Sequence, residues 1–156
     1  MPTAYINIGS NMGDRQAVIS RAVVYIEFLC KAKARVSKII ETPAWGFKSE
    51  SSFLNQGIAI DTDIPPIELL RHLQEIERLI SPTPHRNEAG EYIDRVIDID
   101  LIAVDDIIVD TPELQLPHPR MHLRDFVLIP FIELNPDWFH PTLNATTTKL
   151  LSLLPK

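Results

Sequence analysis

The chain has 156 residues, 45% of them hydrophobic, which predicts a single domain over residues 1–156 with enough material for a sizeable core. Its 15 basic and 21 acidic residues give a net charge of −6, which argues against a nucleic-acid-binding protein, because such proteins use Lys and Arg to bind phosphates. A single cysteine, Cys30, excludes an internal disulfide and a cysteine-based zinc site, and without a long apolar run we expect a cytoplasmic protein that has no membrane segment.

The first half of the chain alternates between strand-like and helix-like patterns. In chain order, it predicts a strand at 3–9, a helix at 17–29, and strands at 34–42 and 53–62. A glycine-containing loop precedes the helix, and Ser10, Asn11 and Asp14 are all residue types that cap a helix N-terminus.

The second half begins with a predicted helix at 65–80, which starts at Pro65-Pro66 and carries an apolar stripe. It continues with a strand at 95–104, a short hairpin partner at 107–109, and helices at 126–133 and 146–154. The core order of strand, helix, strand, strand, helix, strand is the ferredoxin-like βαββαβ pattern. We therefore expect an α+β fold, with an antiparallel sheet sandwiched by helices.

Residues 95–101, Arg-Val-Ile-Asp-Ile-Asp-Leu, carry the strongest chemical signal. In a strand, residues two apart share a face, so Asp98 and Asp100 project together while the apolar residues around them face a core. Neighbouring carboxylates repel and lose hydration, and Mg²⁺ is the oxygen-preferring cation that fits such a pair. With Arg95 at the strand entrance, the segment indicates phosphate chemistry. A solvated acidic edge strand is the alternative interpretation.

Two further segments carry residues suited to binding. His118 and Arg120, in a Pro-His-Pro-Arg run followed by Arg124, suit an anion clamp, although for the run alone an ordinary proline-rich connector with a surface histidine is the favoured interpretation. Phe53 and Asn55 suit a flat heterocycle, since a ring stacks on it and an amide binds its edge. The alternative is that Phe53 belongs to the core and that Trp45, in the loop before it, only anchors that loop.

Gln74 and Glu77 lie three residues apart on one face of the predicted helix. An exposed helix face explains this pair, and contact with a nucleotide is the other interpretation. The sequence has neither a P-loop nor a dinucleotide-binding glycine fingerprint, which excludes both of those nucleotide-binding classes.

Taken together, these segments resemble the 6-hydroxymethyl-7,8-dihydropterin pyrophosphokinase family of folate biosynthesis. The resemblance runs from residue 5 to about residue 136, and the most specific part combines the Arg95–Leu101 segment with Pro-His-Pro-Arg and the following Arg124 and Phe126. It implies a ferredoxin-like fold in a single pterin pyrophosphokinase domain. The implied reaction transfers pyrophosphate from ATP, the co-substrate, to the hydroxymethyl group of the pterin and releases AMP.

The resemblance also implies roles for individual residues. Asp98 and Asp100 are implied to hold two Mg²⁺ ions and, with Arg95 and Arg86, to form the catalytic set. The implied pterin-binding residues are Thr42, Pro43, Trp45, Phe53, Asn55 and Phe126. The implied nucleotide-binding residues are Gln74, Glu77, Arg95, Leu101, His118 and Arg124.

The segment at 81–94 departs from the family pattern. The family has Gly-Arg after the second helix and an aromatic-Gly-Pro before the signature arginine, whereas this chain has a longer, proline-containing loop. We expect Arg86 to take the place of the missing loop arginine, and Tyr92 that of the aromatic residue.

The expected partners are small molecules, namely ATP and the hydroxymethyl dihydropterin, with no nucleic acid and no membrane, and the expected state is a monomer. The alternative function is a non-catalytic ferredoxin-like module that binds a nucleotide or another regulatory ligand. Such a module has no need of two in-line aspartates beside an arginine.

Overall fold

A computed structural model describes residues 1–43, 52–81 and 96–155. In chain order, the strands are β1 (Thr3–Ser10), β2 (Arg35–Val36), β3 (Ile40–Thr42), β4 (Phe53–Asp61), β5 (Asp98–Val104), β6 (Val109–Asp110) and β7 (Gln115–Leu116). The helices are α1 (Arg15–Cys30), α2 (Pro66–Ile80), α3 (Asp125–Leu134) and α4 (Thr147–Ser152), and a 3₁₀ turn, Met121–Leu123, precedes α3.

The central sheet has the strand order β2, β4, β1, β5, with β3 also paired to β4, and every pairing is antiparallel. If β2 and β3 together are counted as the second strand, this is the order of the ferredoxin-like fold. The predicted α+β architecture is therefore confirmed.

The strands of the sheet separate two apolar cores, because successive side chains point to opposite faces. On one face Ile6 and Ile8 of β1 pack with Ile19 of α1 and Leu73 of α2. On the other face Tyr5 of β1 packs with residues of α3 and α4, and its ring stacks on that of Phe131 with centroids 4.4 Å apart. The first core joins α1 and α2 to one face of the sheet. The second core holds α3 against only part of the opposite face.

The predicted strand at 34–42 is wrong as a continuous element, since the chain is interrupted between β2 and β3. Val36 pairs with Ile58, but Ile40 pairs with Asn55, so one extra residue bulges out between these pairs. Ser37 stabilises the bulge, because its N–H donates to the carbonyl oxygen of Gly57 (2.9 Å) and its hydroxyl accepts from the N–H of Gly57 (2.9 Å).

The predicted hairpin partner at 107–109 is also wrong, because β6 pairs with β7 instead of returning along β5. The chain turns sharply after β5, where Asp105 has a positive φ of 46° and the N–H of Ile107 donates to the carbonyl oxygen of Val104 (3.0 Å). This turn directs β6 and β7 away from the sheet. Of the three predicted caps, Asp14 caps α1, accepting from the N–H of Ala17 (3.2 Å).

None of the helices in the described ranges combines the length and the apolar character needed to cross a bilayer.

Candidate functional site

Three cross-strand rows on the face that α3 partly covers form the floor of the candidate site. Residues paired across antiparallel strands point to the same face, so each row brings three residues side by side. Across β4, β1 and β5, the first row is Asn55, Gly9 and Asp98, the second is Gly57, Asn7 and Asp100, and the third is Ala59, Tyr5 and Ala103. The third row lies in the core under α3, and the amide and carboxylate side chains of this floor lie in the first two rows.

The two aspartates lie as the alternating pattern predicts. Asp98 and Asp100 are half-buried on the site face, while Ile99, between them, is buried in the opposite core. Arg124, at the start of α3, places its Nη1 atom 3.8 Å from Oδ2 of Asp100, and its side chain is only 12% exposed. At this distance the guanidinium attracts the carboxylate without a short hydrogen bond.

The candidate ligand set consists of the two carboxylates, because in the part of the chain that the structure describes no group of three or more His, Cys, Asp or Glu side chains could hold a metal ion. Zinc and calcium sites use more protein ligands than this. Mg²⁺, in contrast, is commonly held by one or two carboxylates, with water and substrate phosphates as its other ligands. The donor set therefore fits Mg²⁺ in the presence of a phosphorylated substrate.

Glu77 of α2 ties the helix to the strand between the two aspartates. Its Oε2 atom accepts a hydrogen bond from the N–H of Ile99 (2.8 Å), so it is half-buried instead of forming part of an exposed helix face. Gln74, one turn earlier, remains exposed. The bond holds the Asp98 and Asp100 carboxylates in a fixed position relative to α2.

A cleft of about 400 Å³ opens between α2, β5 and the turn that joins β6 to β7. Its lining brings together the aspartates with four of the residues implied to bind nucleotide, Gln74, Glu77, Leu101 and His118. Leu70 and Leu114 give the other end of the cleft an apolar surface. The arrangement suits a ligand with a flat apolar group at one end and anionic groups at the other.

The outer wall of this cleft is fastened by an ion pair that connects two elements. Arg71 of α2 donates through Nε and Nη2 to the two carboxylate oxygens of Glu113, at 2.9 and 3.0 Å. These hydrogen bonds lower the pKa of Glu113. Since Glu113 lies in the turn between β6 and β7 and lines the cleft, the pair holds that turn against α2.

His118 is held as a neutral imidazole at the inner wall of the cleft. Burial, assisted by the positive charges of Arg124 and Arg120, lowers its pKa to about 4 despite the opposing effect of Asp98. Its Nδ1 accepts from the N–H of Arg120 (3.1 Å), so the ring proton lies on Nε2. His118 therefore offers one hydrogen-bond donor at neutral pH.

The β4 side of the floor combines an amide with an aromatic ring. Asn55 is 2% exposed, and its Nδ2 donates to the hydroxyl of Thr42 (2.9 Å). Phe53, one row further out, is buried, and Phe126 of α3 is half-buried with the guanidinium of Arg124 5.6 Å from its ring centre. A Cβ at Gly9 would lie 3.0 Å from Oδ1 of Asn55, so glycine leaves that amide uncovered on the central strand.

Three of the implied site residues, Trp45, Arg86 and Arg95, lie outside the described residues, as does Tyr92. The others that were implied lie on the site face or around the cleft, with Thr42 and the adjacent Pro43 at the end of β3.

Sequence reasoning missed Asn7, which stands between Gly57 and Asp100 in the second row. The alternating pattern could have identified it. Asn7 lies on the same strand face as Tyr5 and Gly9, opposite to Ile6 and Ile8, and it is an amide in an otherwise apolar strand. Its position beside Asp100 depended on the register of β1 with β5, which the sequence did not specify.

Comparisons with known proteins agree on one family. Residues 5–136 match the model of the family described as 7,8-dihydro-6-hydroxymethylpterin-pyrophosphokinase (HPPK). The chain is 39% identical over 142 residues to the 2-amino-4-hydroxy-6-hydroxymethyldihydropteridine pyrophosphokinase of Porphyromonas gingivalis, covering 90% of this chain and 95% of that protein. It is 34% identical over 141 residues to the enzyme of the same name from Aquifex aeolicus, covering 90% and 85%.

Solved structures support the fold. The wild-type HPPK-DHPS of Plasmodium falciparum, crystallised with pteroate, superposes with a TM-score of 0.73 at 16% identity over 97% of this chain. This chain spans 42% of that longer protein. At such low identity the likeness concerns the fold alone.

Proposed function

Because the chain belongs to the 7,8-dihydro-6-hydroxymethylpterin-pyrophosphokinase family, we propose that it transfers the pyrophosphoryl group of ATP to the hydroxymethyl group of 6-hydroxymethyl-7,8-dihydropterin. AMP is the second product, and the reaction is a step of folate biosynthesis. The observation that carries the proposal is the pair of carboxylates, Asp98 and Asp100, standing between an amide–aromatic pocket on β4 and a separate cleft at the outer edge of β5.

Asp98 and Asp100 are the residues that would hold Mg²⁺, and two ions are proposed. When bound, the metal supplies charge neutralisation for the triphosphate and orients the attacking hydroxyl. The fit rests on two adjacent hard oxygen donors that line a cleft large enough for water and phosphate oxygens. Arg124, 3.8 Å from Asp100, keeps the net charge of this region from becoming strongly negative before the nucleotide arrives.

The cleft between α2 and the β6–β7 turn is the proposed ATP site. Leu70, Leu101 and Leu114 offer apolar contact to the adenine ring, and Gln74 can bind its polar edge. His118 donates from Nε2, and Arg124, with the predicted contribution of Arg95, binds phosphate oxygens.

The pterin is proposed to bind on the β4 side of the floor, between the rings of Phe53 and Phe126. Asn55 is suited to read the pterin edge, because its Nδ2 is already fixed by Thr42 and its Oδ1 lies beside the uncovered Gly9. Main-chain groups at Thr42, Pro43 and Trp45 complete the proposed pocket, and Arg86 remains the predicted substitute for a loop arginine.

The order of the strands explains how the two substrates meet. Neighbouring strands are about 4.8 Å apart, so Asn55 on β4 and Asp98 on β5 are separated by roughly 10 Å across β1. A pterin ring anchored at Asn55 thus extends over Gly9 and presents its hydroxymethyl group near the aspartates. Positioning and electrostatic stabilisation by these fixed groups are expected to supply most of the rate enhancement.

A direct assay tests the proposal. Purified protein incubated with ATP, Mg²⁺ and the hydroxymethyl dihydropterin should release AMP and the pterin diphosphate in equal amounts. Release of ADP would show a different transfer, and ATP binding that is indifferent to Mg²⁺, with no turnover, would favour a non-catalytic nucleotide-binding module. Omitting the pterin is the control, since AMP release should then stop.

We also propose that the enzyme acts in the cytoplasm as a single-domain monomer. The single cysteine, Cys30, suits a reducing compartment. Light scattering at micromolar concentration should give a mass near 17.7 kDa, and a mass of twice that value would reject the monomer.

A further inference from the structure

Asn7 presents a buried polar group that the proposed mechanism leaves unexplained. The residue is 5% exposed, and its side-chain carbonyl oxygen, Oδ1, has no hydrogen-bond partner among the residues that the structure describes. A buried acceptor without a partner is destabilising and rare in native proteins, so this group calls for a physical reason.

The position of Asn7 supplies that reason. It lies on the central strand β1, in register with Asp100 on one side and Gly57 on the other, and its side chain points to the site face. Cβ atoms of such cross-strand neighbours are about 4.5–5.5 Å apart, which leaves room for a water molecule between an amide and a carboxylate. Gly9, in the row above, adds no side chain over this position.

We propose that Asn7 is a positioning residue of the cation site, whose amide oxygen accepts a hydrogen bond from a water molecule of the Mg²⁺ that Asp98 and Asp100 hold. The inference rests on the proposed function. Water bound to a divalent cation is a strong hydrogen-bond donor, and a cation held by two carboxylates keeps several such waters. The carbonyl oxygen of Asn7 is thus satisfied only when the site is loaded.

A buried water away from the site is the rival explanation. A small cavity of about 10 Å³, enough for roughly one water molecule, lies between β1 and α3 beside Asn7. Its other walls are formed mainly by apolar and aromatic side chains, including Ile102, Val127 and Phe131. Since a buried water needs at least two polar partners, this cavity satisfies the amide poorly.

Cation binding by the intact protein tests the inference. Free Mn²⁺, which accepts the same oxygen ligands as Mg²⁺, is counted by electron paramagnetic resonance with and without α,β-methylene ATP. Asn7→Ala should weaken Mn²⁺ binding about tenfold, the lower end of the range for residues that orient metal ligands. Its metal-free melting temperature should stay the same or rise, because no hydrogen bond to Oδ1 is lost.

Asn7→Asp gives the opposite prediction and preserves the shape of the side chain. A third carboxylate beside Asp100 should lower the metal-free melting temperature and tighten Mn²⁺ binding. Thr147→Val is the matched control, because the buried Thr147 hydroxyl donates to the carbonyl oxygens of Asn135 and Pro136 at 3.1 and 3.2 Å. This control should lose stability and keep its Mn²⁺ affinity.

Unchanged Mn²⁺ affinity in both Asn7 variants overturns the inference while leaving the proposed function standing. A lowered metal-free stability of Asn7→Ala with unchanged affinity overturns it in favour of the buried water. If the unaltered protein binds no Mn²⁺ even with the nucleotide analogue, the proposed cation site fails together with the inference.

Discussion

On β1 and β5, the side chains that face α1 and α2 are apolar at Ile6, Ile8, Ile99 and Leu101, whereas those that face α3 change from apolar to polar along the strands. α3 packs over the third row and over Gly57 of the second row, whereas the two aspartates stay half-exposed. Burial by a helix therefore decides which strand positions can carry charge. The same strands thus provide stability on one face and a chemical site on the other.

Removing a carboxylate from the polar face should cause the largest loss of activity. Asp98→Ala or Asp100→Ala should each lower kcat by about a thousandfold, since a metal supplies several kcal/mol of charge stabilisation in the transition state. Circular dichroism should show an intact fold. Asp61→Ala, at the exposed end of β4, is the control and should retain activity. Near-normal turnover in either site variant would contradict the metal assignment.

Truncating a side chain on the apolar face should instead lower stability and leave activity unchanged. Leu73 of α2 is fully buried, so Leu73→Ala should lower the free energy of unfolding by about 2–5 kcal/mol in urea titrations. Activity per folded molecule should stay near normal, because Leu73 packs in the core on the opposite face of the sheet. Leu79→Ala, at a position 59% exposed on the same helix, should change stability by less than about 0.5 kcal/mol.

The pH dependence of stability tests the burial of His118 on the polar side. The unfolded chain protonates this histidine near pH 6.5, whereas the folded protein keeps it neutral down to about pH 4. The stability it contributes is therefore complete above pH 6.5 and is lost as the pH falls toward 4, by up to roughly 3 kcal/mol. His118→Asn should lose less stability over this interval in unfolding titrations. Parallel losses in both proteins would contradict the lowered pKa.

Two glycines distinguish the part of the polar face that α3 covers, at Gly57, from the open part, at Gly9. Gly57→Ala places a Cβ 2.8 Å from Cβ of Pro130 in α3, so it should lower stability by about 1–3 kcal/mol. Gly9→Ala places a Cβ 3.0 Å from Oδ1 of Asn55, so it should raise KM for the pterin more than it lowers stability. Equal effects of the two variants on KM would argue against the proposed pterin pocket.

The smallest expected effect concerns the ion pair at the cleft wall. Arg71→Gln should raise KM for ATP about two- to fivefold with little change in kcat, because solvent screens an exposed ion pair and leaves it a small contribution. Arg78→Gln is the matched control, as Arg78 pairs with Glu75 within the same helix and away from the cleft. High salt should reduce the difference in KM for ATP between the unaltered protein and Arg71→Gln, because salt screens the ion pair. If Arg71→Gln and Arg78→Gln have the same KM for ATP, the ion pair does not contribute to nucleotide binding.

The sequence alone determined the kinds of elements, the ferredoxin-like order and the shared face of Asp98 and Asp100, because strand and helix periodicities are local properties. Predictions from the sequence were wrong where contacts between residues distant in the chain determine the structure. The bulge at Ser37 depends on hydrogen bonds with Gly57, and the departure of β6 from β5 depends on a turn and a second pairing.

Only the tertiary structure brought Asn7 beside Asp100, fixed Glu77 on the N–H of Ile99 and joined Arg71 to Glu113. These residues are 93, 22 and 42 positions apart in the chain, so no local pattern links them. Their meeting depends on strand register and helix packing, both of which are set by burial of the apolar cores. The sequence therefore specified the chemistry available to the protein, and packing decided which groups act together.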